Sequence, residues 1–96
     1  MSVSAENIAF EKVKLLISEN LPETWGLASE IIDENDFRFQ IFTSNGLFGP
    51  RLIAVFEVSD NHSRVTLRVI KPSNAQRELL SQALDEIYSR LPKIPF

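Results

Sequence analysis

Phe37-Arg38-Phe39-Gln40-Ile41-Phe42-Thr43 alternates strictly: Phe37, Phe39 and Ile41 fall on one face of an extended chain, and Arg38, Gln40 and Phe42 on the other. Side chains of a strand point to opposite sides with a period of two, so this pattern predicts a strand with one buried face. The same logic extends both ways along the stretch from Trp25 to Ile70. Arg64 to Ile70 alternates Val65, Leu67 and Val69 against Arg64, Thr66 and Arg68. Arg51 to Val58 is apolar on both faces, as suits a central strand. Trp25 to Ile32 is the weakest of the four, because Ala28, Ser29 and Glu30 are poor strand formers. The connections are short and polar: Asp33-Glu34-Asn35-Asp36, a loop opening on Asn45-Gly46, and Asp60-Asn61-His62. Links of that length join antiparallel neighbours, and the sheet reads as a meander.

A helical period flanks the strands on each side. Ala9, Phe10, Val13, Leu16, Ile17 and Leu21 recur at three- and four-residue spacing and form one stripe, with Ile8 and Leu15 off it. This helix is expected to start near Ser4 or Ala5 and to end before Pro22, which drives Leu21 out of helical angles. The second helix is announced by Ser73 and Gln76, three residues apart, the signature of a reciprocal capping box. Leu80, Ala83, Leu84, Ile87 and Leu91 then line one face until Pro92.

Two helices and one meander most simply make an α+β two-layer sandwich in the order αββββα, with residues 1–96 as a single domain. Both helices would cover the sheet face carrying Phe37, Phe39, Ile41, Leu52, Ala54, Phe56, Val58, Val65, Leu67 and Val69. The other face would stay open. Pairing like faces gives expected rows of Arg38, Val55 and Thr66; Gln40, Ile53 and Arg68; and Phe42, Arg51 and Ile70, with Glu57 opposite Arg64. That face mixes apolar residues with arginine, the composition of interface cores. Outward-pointing Ile53 and Val55 would then carry assembly, and a charge at either would abolish it.

The composition restricts the chemistry. There is one histidine, no cysteine and a formal net charge of −3. Ser59-Asp60-Asn61-His62-Ser63 holds the residue types of a hydrolase triad, but triad members converge from separate elements, so it reads as a turn. The acidic run Asp33–Asp36 lacks the spaced ligands of a calcium loop, and Gly46-Leu47-Phe48-Gly49-Pro50 joins two strands where a phosphate loop would enter a helix. No catalytic residue, metal site or cofactor is expected. An acidic chain with only Phe42 as an aromatic on the open face speaks against nucleic acid. No stretch is long and apolar enough to span a bilayer, and the start lacks the basic and apolar regions of a signal peptide, so a cytoplasmic location is the expectation.

The expected working surface is therefore Arg38, Phe42, Arg51, Ile53, Val55, Arg68 and Ile70 on the open face, or Leu47 and Phe48 at the glycine-framed loop tip. A non-enzymatic protein-binding module, forming a homodimer, fits this best. The alternative is an anionic small molecule, or a minor enzymatic activity on one, held by the arginine face. The Trp25–Ile32 and Phe37–Thr43 pair, the Arg51–Val58 and Arg64–Ile70 pair, and Lys71-Pro72-Ser73 leading into Leu79-Leu80 together resemble the type III secretion chaperone-like fold and its YbjN-like relatives. The chain is shorter than typical secretion chaperones, and no family residue maps onto a specific position. That resemblance implies a homodimer that binds protein segments without catalysis.

Overall fold

The computed structural model describes residues 8–34, 36–44, 49–59 and 64–94. The elements run α1 (Ile8–Asn20), β1 (Gly26–Asp33), β2 (Asp36–Ser44), β3 (Pro50–Ser59), β4 (Arg64–Val69) and α2 (Asn74–Arg90), followed by a 3-10 turn at Leu91–Lys93. The four strands form one antiparallel sheet in the order β1-β2-β3-β4. The architecture is αββββα, as the periodicities require.

Each helix ends where its sequence dictates. Asn20, the last residue of α1, folds its side-chain amide back onto the final turn and donates to the Leu16 carbonyl at 2.9 Å. Pro22 then supports a tight turn in which the Trp25 amide donates to its carbonyl at 3.0 Å. The capping box of α2 is complete: the Gln76 amide donates to Ser73 Oγ at 3.2 Å, and the Ser73 amide donates to Gln76 Oε1 at 2.9 Å. The expected start of α1 at Ser4 or Ala5 lies outside the described residues.

Both helices pack on one sheet face. Phe37, Phe39, Ile41, Phe56 and Val58 from the strands meet Phe10, Val13 and Ile17 of α1 and Leu80, Leu84 and Ile87 of α2. Phe10 lies edge-on to Phe37, with ring centroids 5.3 Å apart, and stacks on Phe39 at 5.7 Å. Such pairs add about 0.5–1.5 kcal/mol beyond their burial. Leu21, Trp25 and Leu27 close the core at the β1 end, and Ile94 docks against it after the 3-10 turn. Ile8 and Leu15, off the apolar stripe in the sequence, are exposed on the outside of α1.

The sheet departs from the expected register. Arg38 lies opposite Glu57 and Gln40 opposite Val55, while Glu57 lies opposite Thr66 and Val55 opposite Arg68. Relative to β2, β3 is thus two residues away from the expected rows, and Arg64 faces Ser59 instead of Glu57. A shift of two keeps every side chain on its face, so hydrophobic alternation cannot detect it.

A second difference does change faces. The pairing passes from Ile41↔Ala54 to Phe42↔Leu52, leaving Ile53 as an extra residue in β3. This β-bulge inverts the alternation beyond it. Leu52 comes beside Phe42 on the open face, Arg51 lies opposite the buried Thr43, and Ile53 turns inward with no exposed surface. The expectation that Leu52 is covered and that Arg51 and Ile53 face outward is therefore corrected.

Thr43 is the one buried polar side chain among the described core residues, and its hydroxyl has no hydrogen-bond partner there. An unpaired buried hydroxyl costs about 1–3 kcal/mol, and an isosteric methyl removes that cost. Thr43→Val is expected to raise the urea unfolding midpoint, by about 1 kcal/mol in stability. A lowered midpoint would show that the hydroxyl is satisfied in solution.

Candidate protein-binding surface

The centre of the open sheet face is a row of charges that satisfy one another. Arg38 Nε donates to Glu57 Oε2 at 2.8 Å, and Arg38 Nη1 reaches Glu30 Oε1 at 3.4 Å. Thr66 donates its hydroxyl to the other Glu57 oxygen at 3.4 Å. The register puts Glu30, Arg38, Glu57 and Thr66 in line across all four strands. The Glu57 hydrogen bond, with the two carboxylate charges, holds the Arg38 guanidinium above its ordinary pKa. These groups are solvent-accessible, so the row contributes little net stability. Its effect is on the face, which is hydrated and polar at its middle.

The residues expected to form the working surface separate accordingly. Arg38 is engaged by two carboxylates. Val55 is nearly covered between Gln40 and Arg68, and Ile53 belongs to the core. Arg51 donates to the Lys71 carbonyl at 3.0 Å, at the end of the sheet. Phe42 and Ile70 are half-buried, and Arg68 is exposed on β4. Leu47 and Phe48 lie outside the described residues, as do His62 and its neighbours. Arg38 and Arg68 lie in successive cross-strand rows, and Arg51 lies at the end of the sheet. Among the described residues no cluster of His, Asp or Glu could hold a metal ion, and no helix is long and apolar enough to cross a membrane.

The edges of the sheet have a different character. β1 and β4 are its outer strands. The Ile70 amide donates to the Ile53 carbonyl at 2.8 Å, so alternation turns the backbone groups of Arg68, Thr66 and Arg64 toward β3. Those of Val65, Leu67 and Val69 then point outward. Above this edge, β4 and α2 enclose a hollow of about 220 Å³ lined by Val69, Leu80, Leu84 and Tyr88, together with Arg77 and Asp85. Val69 and Tyr88 are both substantially exposed. The Tyr88 ring leans on Phe56, with centroids 5.9 Å apart, and partial burial raises its phenol above the usual tyrosine pKa. A wider hollow of about 520 Å³ between the end of α1 and α2 is lined by Asn20, Gln82, Glu86 and Arg90, and an ion pair of 2.6 Å joins the last two.

Charge is divided between the two edges. From Arg64 to Arg77 the chain carries Arg64, Arg68, Lys71 and Arg77 and no acidic residue. Between Lys14 and Arg38 it carries Glu19, Glu23, Glu30, Asp33, Glu34 and Asp36 and no basic one. The β4 edge is thus basic within an acidic chain, and the β1 edge is acidic. Charge blocks along the sequence were the available signal for this, and overall net charge conceals it. Comparison with known protein families, with curated proteins and with solved structures found no match.

Proposed function

We propose that the chain is a non-enzymatic protein-binding module, chaperone-like in engaging an extended segment of its partner along the outer edge of β4. Strand addition of this kind draws affinity from main-chain hydrogen bonds and specificity from pockets for alternate side chains. The observation that carries the reading is the combination of a basic edge, unpaired among the described residues, with an apolar hollow directly above it. Val65, Leu67 and Val69 offer outward backbone groups, and alternate side chains of an added strand would enter the hollow lined by Leu84 and Tyr88. Arg64 and Arg68 would meet the opposite row of side chains, which favours acidic residues there. This reading relocates the working surface from the middle of the open face to its basic edge, retaining Arg68 and Ile70.

A peptide of alternating glutamate and valine tests this, with its lysine–valine counterpart as control. In dilute protein the acidic peptide is expected to bind, to slow amide exchange at Val65, Leu67 and Val69, and to lose affinity as salt rises. Tyr88 is the only tyrosine, so phenolate absorbance reads one site. Its stabilising contribution is present below the ordinary tyrosine pKa near 10 and is lost as pH rises through the higher folded value. An occupant covering the ring deepens its desolvation and moves that titration further up. Equal binding of the lysine peptide, or protection confined to other strands, would overturn the proposal.

A further inference from the structure

Among the described residues neither outer strand of this sheet has a further neighbour, and proteins protect such edges with charge. Here the two edges carry opposite signs. Two-fold pairing of β4 with β4 would bring the Arg64 and Arg68 row of one copy alongside that of the other, Arg64 opposite Arg68 when the axis passes through Thr66. Two-fold pairing of β1 with β1 would do the same with Glu30, Asp33 and Glu34. Like charges across a strand pair are unfavourable and opposite charges favourable. The arrangement disfavours both symmetric pairings and leaves a third one complementary.

We infer that the β4 edge accepts the β1 edge of a second copy of this chain, so that copies add head to tail into one continuous antiparallel sheet. The inference rests on the reading of β4 as a strand-accepting edge and names its occupant. Strand direction permits it: β1 and β4 run antiparallel within the sheet order, so a neighbour in the same orientation continues the meander. Hydrogen-bond alternation permits it too. Val55 faces β4 and Phe56 faces β2, and carrying the alternation across β2 turns Leu27, Ser29 and Ile31 outward on β1.

A register with Ile31 opposite Leu67 pairs outward-facing backbone on both sides. It places two apolar side chains together on the helix-covered side, where Ile31 is 45% exposed in the single copy. On the open side it brings Glu30 opposite Arg68. The charged row of Glu30, Arg38 and Glu57 thereby acquires a further partner from the neighbouring copy. A β1-to-β4 contact is heterologous, using two different patches, so it leaves a free edge at each end and closes no dimer.

The test is the weight-average mass by sedimentation over a wide concentration range at low salt. The mass is expected to rise past twice 10.9 kDa without a plateau, and to fall when salt is added. Glu30→Lys and Arg68→Glu each reverse one side of the seam, and each should weaken association by about tenfold. Both side chains are exposed, and circular dichroism checks that each variant is folded. The double reversal, Glu30→Lys with Arg68→Glu, should restore association. Three results would overturn the inference: a mass of 10.9 kDa at every concentration, a plateau at the dimer that survives Glu30→Lys, or a double variant no better than the singles. A monomer that still binds the glutamate–valine peptide would refute this occupant and leave the strand-accepting edge standing. A monomer that binds neither would remove both.

Discussion

Ile53→Asp is expected to leave no folded protein at room temperature, whereas Val55→Asp, two residues along the same strand, is expected to fold. The two positions are equally apolar in sequence, and the β-bulge separates them. Ile53 has no exposed surface and lies within the core between sheet and helices. A carboxylate there would be buried without a partner, and charge burial of that kind belongs with losses above about 4–5 kcal/mol. Total stabilities of about 5–15 kcal/mol leave little margin for it. Val55 is covered only by its neighbours on the open face, and Arg68 lies directly opposite. An aspartate there forfeits about 1.5–3 kcal/mol of apolar burial and recovers about 0.2–1 kcal/mol from the cross-strand charge pair. Circular dichroism and urea unfolding of the two variants decide the matter. A folded Ile53→Asp protein would mean that the bulge is absent and that the residue faces solvent.

Phe39→Ala is expected to lower stability by about 3–5 kcal/mol, the usual range for deleting a fully buried phenylalanine. Phe39 sits in the middle of β2 and has no exposed surface. It pairs with Phe56 across β3 and stacks on Phe10 of α1, so its loss opens a cavity at the junction of both strands and a helix. Phe42→Ala, three residues on, removes a half-buried ring from the opposite face and should cost far less. Urea titration with an unchanged slope would attribute the difference to stability alone. Comparable losses at the two sites would contradict the assignment of faces.

Those faces were legible on β2 because Phe37, Phe39 and Ile41 alternate with polar residues along most of the strand. The start of α2 was legible for a related reason: a capping box is settled within one helical turn by Ser73 and Gln76 alone. On β3 the same reasoning failed. Leu52-Ile53-Ala54-Val55-Phe56 is apolar at every position, so an extra residue leaves no mark on the pattern, and extrapolating strict alternation sent Ile53 to the wrong face. The β2–β3 register was equally invisible to hydrophobicity, since a slip of two preserves faces. Charge was satisfied either way: the expected register sets Glu57 against Arg64, and the observed one sets it against Arg38, with Glu30 in line on the other side. The edges were legible in principle, since a meander makes β1 and β4 outermost, and the division of acids and bases between them is written in the charge blocks of the sequence.

The meander bears on how the chain reaches this state. Every strand pairs with its neighbour in sequence, so the sheet grows by closing short loops, each with a small entropic cost. The helices alone break that local rule: α1 precedes the sheet and α2 follows it, yet they touch. Their contact encloses the whole meander as one long loop, and closing that loop covers the Phe37, Phe39 and Phe56 surface of the sheet. Topologies dominated by neighbouring contacts fold fast. In this chain the joining of its two ends is the step that stands apart, and until it occurs the phenylalanine face of the sheet remains open to water.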